Sequence, residues 1–263
     1  MRTSRPFAVG AASALALVLL SAPLSAQVLH TNNRWDECSF LIDPSLTQAS
    51  WRQFVKEAGL VTYFRPMVSA APLGPRRFEV ALVQWATGID DADDAWNDTF
   101  SHPDSTHWLF DGDALRIPGL MVRAGVTDRV DVGGYFTKAP GANYGFFGGQ
   151  VQYAVLHDLD SNVSAAGRLG FVKMYGPEDL TASIYGLDFL VSKEISRFSP
   201  YAGVSGYLSR GHETTSKVDL EDESVLGVRG TVGLAVRIWT LSLGGEFNLA
   251  AVPGYSIKVA FAS

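Results

Sequence analysis

From about residue 60 to the C-terminus, apolar residues recur at every second position in runs of about 10 to 14 residues. The stretch TVGLAVRIWTLSLGGEFNL (231–249) shows the pattern. Val232, Leu234, Val236 and Ile238 share one face, and the count restarts after Trp239 and Thr240 with Leu241, Leu243, Phe247 and Leu249. Thr231, Arg237, Ser242, Glu246 and Asn248 fall on the other face. A period of two specifies strands with one oily and one polar side. Soluble strands are mostly about five or six residues long, whereas a tilted strand needs about ten to cross a bilayer.

Strands are predicted over 60–70, 76–88, 115–126, 129–138, 145–157, 163–174, 180–193, 199–211, 225–238, 241–250 and 255–262. In GLMVRAGVTDRVDVGGYF, Leu120, Val122, Ala124, Val126, Val130, Val132 and Phe136 share a face, and a register centred on Thr127 places Arg123 opposite Asp131. In GQVQYAV, Gln150, Gln152 and Ala154 oppose Val151, Tyr153 and Val155.

The chain begins MRTSRPFAVGAASALALVLLSAPLSAQ, two arginines followed by an apolar run and then small residues, which reads as a secretory signal peptide over 1–26. The formal charge of −6 becomes −8 once Arg2 and Arg5 leave with the leader. An acidic chain without basic clusters argues against a nucleic-acid partner. Cys38 is the single cysteine, so no internal disulfide can form.

The segment 27–58 carries the single convincing helix, in PSLTQASWRQFVKEAG. Ser45 and Gln48 form a capping box, Leu46, Trp51, Phe54, Val55 and Ala58 make the apolar stripe, and Gly59 ends it. Periodicity alone fits either a secreted sandwich with the oil inside or a membrane barrel with the oil outside. Strand length, the export signal, abundant glycine and the aromatic residues near strand ends favour the barrel. The expected fold is all-β: an antiparallel transmembrane β-barrel over 59–263, of 12 strands or, as the alternative, 10. Long connections at 89–114, 138–144 and 212–224 are expected outside the cell, with short turns at Thr127-Asp128 and Trp239-Thr240 in the periplasm. That assignment makes the N-terminal segment cross first, either as an added strand or as a plug through the lumen.

The segments YFTKAPGANYGFFGGQVQYAVL (135–156) and FSPYAGVSGYL (198–208) resemble a little-characterised group of proteobacterial-type outer-membrane β-barrel proteins. The shared motifs are a K-x-P-G-x-N turn, a G-G-x-x-x-Y-A strand and a T/S-P-Y-A-G-V strand. The resemblance implies a barrel fold and an address in the outer membrane, and it transfers no functional residue.

Arg123, Asp131, Arg168, Asp188, Arg229, Arg237, Glu246 and Lys258 fall on the polar side of their strands. A basic residue facing lipid at mid-depth costs about 2–4 kcal/mol, so these groups are expected to point inward and line the pore. The acids of GIDDADDAWND (Asp90, Asp91, Asp93, Asp94, Asp98) lack the glycine and glutamate of a calcium loop. His102, Asp104 and His107 are weak metal candidates, and neither His157 with Asp158 nor His212 with Glu213 lies in a hydrolase motif. The expectation is therefore no enzyme, metal or cofactor. It favours a passive channel or transporter for small solutes, with a structural, adhesive or receptor barrel acting through acidic outer loops as the alternative. The expected partners are outer-membrane lipids, the outer-membrane assembly machinery during biogenesis, and small solutes.

Overall fold

A computed structural model describes residues 38–90, 92–101, 110–111, 114–138 and 141–263; the signal-peptide region lies outside them. Ten long strands follow one another as β1 (Phe78–Gly88), β2 (Ala114–Gly125), β3 (Val130–Lys138), β4 (Gly145–Asp158), β5 (Val163–Tyr175), β6 (Leu180–Lys193), β7 (Phe198–Glu213), β8 (Glu223–Ile238), β9 (Leu241–Leu249) and β10 (Gly254–Ala262). Each pairs antiparallel with its sequence neighbour, and β1 pairs with both β2 and β10, so the sheet closes into a barrel without a free edge. The strand number is thus ten, not the preferred twelve.

Of the eleven strands predicted by range, the one over 60–70 is missing, and the N-terminal segment adds none to the ring. Residues 61–68 are all buried, so their apolar positions do not mark a lipid face. The segment instead extends helix α1 (Gln48–Thr62) and then runs as non-strand chain to β1. Gly59 does not stop the helix. A Cβ there would lie 2.8 Å from both Ser209 Cβ and the Tyr207 ring, so the glycine lets the helix lie against the wall. The N-cap is Thr47, whose hydroxyl accepts from the Ser50 N–H at 3.2 Å, while Ser45 hydrogen-bonds Asp43 and Asp98. A second, short helix α2 spans Asp94–Asn97 in the connection between β1 and β2.

The turns 126–129, 159–162, 194–197 and 239–240 lie at one end of the barrel, and 176–179, 214–222, 250–253 and the described residues of the connections after Gly88 and Lys138 lie at the other. The Ser263 N–H donates to the Phe78 carbonyl at 3.0 Å, so the chain end and the start of β1 share the short-turn end. Short turns face the periplasm in barrels of this kind, which fixes the orientation. The turn between β2 and β3 sets a register of Gly125 with Asp131 and Arg123 with Gly133, centred on Asp128 rather than Thr127, so the partner of Arg123 moves by two residues.

Candidate functional site

The wall is inside-out. On β8, Leu226 and Val228 are 78% and 80% exposed, whereas Arg229 is 4% exposed. The same alternation runs through every long strand, leaving an apolar outer surface that only a bilayer can cover. This is a transmembrane barrel of the outer membrane.

The inward residues do not line an open passage. Residues 63–77 run from α1 at the outer end to β1 at the periplasmic end, so this chain fills the middle of the barrel. Tyr63 donates its hydroxyl to Asp188 at 2.5 Å, and its ring lies under the Arg229 guanidinium, 3.9 Å from carbon to centroid. Asp188 also faces Arg168 at 3.5 Å and Arg229 at 3.7 Å, so one carboxylate answers two cations. Gln152 accepts from Arg168 at 2.8 Å. Nearer the periplasm, Arg123 pairs with Asp131 across a diagonal of the ladder, and Asp131 accepts the Leu73 N–H at 3.0 Å. Lys258 donates to Glu79 at 2.7 Å, and Tyr201 donates to Glu246 at 3.0 Å. Burial at such depth is tolerable for charges because each has an opposite charge or a hydrogen bond.

Seven of the eight residues expected on the inner face are therefore buried in the lumen. Arg237 differs: it is exposed at the periplasmic rim. There it borders a polar cavity of about 110 Å³ with Arg123, Arg197, Ser242, Lys258 and the plug residue Ser69. Sequence reading missed Tyr63, Glu79 and the buried plug residue Arg65, whose guanidinium donates to the Thr87 hydroxyl at 3.1 Å. Glu79 was legible as an acid in phase with the polar face of β1. Tyr63 and Arg65 were hidden because their segment had been assigned to the wall.

The outer half of the lumen is built differently. Trp51 stacks on Phe54 with centroids 5.6 Å apart, Phe54 meets Trp96 edge-on at 5.2 Å, and Phe40 meets Tyr144 at 4.7 Å. Hydrogen bonds then tie this cluster to the loops. The Trp51 indole donates to the Glu221 carbonyl at 3.2 Å, and the Trp96 indole to Glu57 at 2.6 Å. Asn143 exchanges two bonds with the Phe40 backbone, both 2.9 Å. Asp179 accepts from the Ile42 N–H at 2.9 Å and from Lys217 at 2.6 Å. Burial pulls the Asp179 pKa up, but the hydrogen bonds from Lys217 and Ile42 outweigh it and hold the carboxyl below its ordinary range. Burial likewise raises the pKa of the Tyr144 phenol.

The acids of the first outer connection serve local structure. Asp93 caps α2 by accepting from the Ala95 N–H at 2.9 Å, and Asp90 accepts from the Ala92 N–H at 3.1 Å. Asp91, His102, Asp104 and His107 lie outside the described residues. Among the described residues, no three His, Cys, Asp or Glu side chains gather as a metal site. His157 meets Ser164 at 2.9 Å, but Asp158 turns away to Ser161, and His212 pairs with Asp222 at the surface.

No family model matches this chain, and no curated protein does. Among solved structures it is similar to the translocator domain of the autotransporter NalP from Neisseria meningitidis, at 9% identity over 80% of this chain and 93% of that one, with a TM-score of 0.40. LpxR from Salmonella typhimurium aligns at 10% identity over 69% of this chain and 99% of that one, with a TM-score of 0.38. The outer membrane protein OprG from Pseudomonas aeruginosa aligns at 12% identity over 74% and 99%, with a TM-score of 0.34. These neighbours are all outer-membrane proteins of differing roles, and no activity is taken from them.

Proposed function

We propose that the chain works as a closed barrel whose function is carried by its outer face, as a receptor or adhesive element rather than a passive channel. The observation that carries this reading is the plug. From Trp51 to Leu73, lumen residues are packed in an aromatic cluster or bonded to the wall. Outside, residues 38–47, α1, α2 and the loop 214–222 are knitted together, as in the Arg52 to Glu223 ion pair at 2.6 Å. The platform so formed exposes Asp90, Asp94, Glu178, Asp219, Glu221 and Asp222, which suits a cationic partner. Purified protein in planar bilayers should give no steady conductance in potassium chloride. Regular open-channel steps from the intact chain would overturn the reading.

Passage of small solutes is the second reading, favoured by the periplasmic cavity beside Arg237. It requires the plug to move. Under it, conductance appears after the Tyr63 and Asp188 link is cut, with mild anion preference from Arg123, Arg237 and Lys258.

A further inference from the structure

The wall is not uniformly hydrogen-bonded. Pairing between β2 and β3 stops at Leu120 with Phe136, although β2 continues outward to Ala114 and β3 to Lys138. Pro118 stands just beyond the last pair. Having no N–H, it leaves no unpaired donor facing hydrocarbon, and its carbonyl accepts the Thr137 hydroxyl. Gly119 is in phase with the inner face, where a Cβ would lie 2.5 Å from the buried Tyr135 ring. A groove of about 550 Å³ follows on the outer surface, lined by Leu82, Pro118, Gly119, Leu120, Phe136 and Ile257.

The groove has a charged mouth. Lys138, one of its lining residues, faces outward and spends two of its three protons on the carbonyls of Ala142 at 2.8 Å and Tyr144 at 3.3 Å. Along the wall, Lys173 lies beside Phe147, and Lys173, Ser183 and Arg210 form one row across β5, β6 and β7. Arg210 lies over the Tyr185 ring at 5.8 Å. An aromatic floor separates the two lysines: Phe136 stacks on Tyr175 at 6.0 Å, and Phe147 meets Phe171 at 6.4 Å. Among the described residues, the outward faces of β3 to β8 carry no carboxylate in this outer half, although the loops above are acidic.

We propose that this face holds an anionic phosphorylated lipid of the outer leaflet, with its head on Lys138 and Lys173 and one acyl chain in the groove. Two strand spacings across and two residues along separate the lysines, about 12 Å between their backbones, and their long side chains let one head group reach both. The chemistry is a cationic pair over rings at headgroup level, continuous with an apolar slot at acyl depth.

Native mass spectrometry of the detergent-purified full chain tests this by titration with a diphosphorylated acyl glycolipid, phosphatidylglycerol, zwitterionic phosphatidylcholine and oleate. The glycolipid and phosphatidylglycerol should be retained over the other two. Lys173→Glu alone should weaken retention about fivefold and, with Lys138→Glu, more than tenfold. Leu82→Trp, which fills the groove from a lipid-facing position, should weaken retention while leaving urea unfolding of the barrel in micelles unchanged. If Lys138→Glu fails to fold because its loop bonds are lost, Lys173→Glu and Leu82→Trp still decide. Equal retention of phosphatidylcholine or oleate would overturn the proposal, as would unchanged retention in folded Lys173→Glu and Leu82→Trp.

Discussion

The outer half of the lumen is sealed by rings and the inner half by charges. Trp51, Phe54, Trp96, Phe40 and Tyr144 form a cluster held chiefly by ring packing, whereas Asp188 is shared by Arg168, Arg229 and Tyr63. A lipid-enclosed barrel can be closed by either means. Apolar packing tolerates the loss of one member by leaving a cavity. A network hinged on one carboxylate leaves two cations unanswered when that carboxylate is removed.

The largest effects should fall at the two centres. Asp188→Ala should destabilise the barrel by about 3–5 kcal/mol, because it strands buried Arg168 and Arg229. Trp51→Ala should cost a similar ~3–5 kcal/mol through its cavity. Urea unfolding in micelles measures both, and a second change to Arg229→Met should recover part of the loss in the first variant only. Recovery in neither would break the contrast between the halves.

Tyr63→Phe comes next. It removes a hydrogen bond to a charged acceptor, so about 1.5–3 kcal/mol should be lost in the same assay. Gly211→Ala is its outer-half counterpart, since the new Cβ would lie 2.3 Å from Val55 Cγ2. Overpacking of that kind costs about 1–3 kcal/mol. A neutral result would mean that α1 is not held tightly against β7.

The smallest effect concerns the outer anchor. Lys217→Ala should change global stability by less than about 1 kcal/mol, because the lysine is half exposed. Its signature is pH dependence. The folded-state pKa of Asp179 is depressed, so its contribution is full above the ordinary carboxylate value near ~4 and is lost as pH falls through the lower folded value. The protection of the Ile42 amide against hydrogen exchange, relative to its intrinsic rate at each pH, should therefore fall on acidification below that range, and Lys217→Ala should move the change to higher pH.

The wall was legible in the sequence because a period of two with charges on one side admits one arrangement when lipid lies outside. That logic placed Arg123, Asp131, Arg168, Asp188, Arg229, Glu246 and Lys258 on the inner face. Arg237 is in phase with that face too, but at the rim water reaches the side chain and the face no longer decides burial. The logic failed at 60–70. LVTYFRPMVSA carries the hydrophobicity of a strand, but chain surrounded by wall buries every side and leaves no alternation to read. The length of α1 was hidden too, because a glycine that permits close packing looks the same in sequence as one that ends a helix.

The route of residues 38–77 bears on how the barrel is made. Phe40 meets the outer loops, whereas Phe78 begins β1 beside the C-terminal residue at the periplasmic end, so this stretch passes through the ring. A helix with its side chains is about 10–12 Å across and cannot be drawn through a wall already closed and filled with paired charges. The ring must therefore close around an N-terminal stretch that is already in place. The threaded segment is then a template for the curvature and size of its own enclosure, and shortening it should change the yield of closed barrels before it changes anything the finished barrel does.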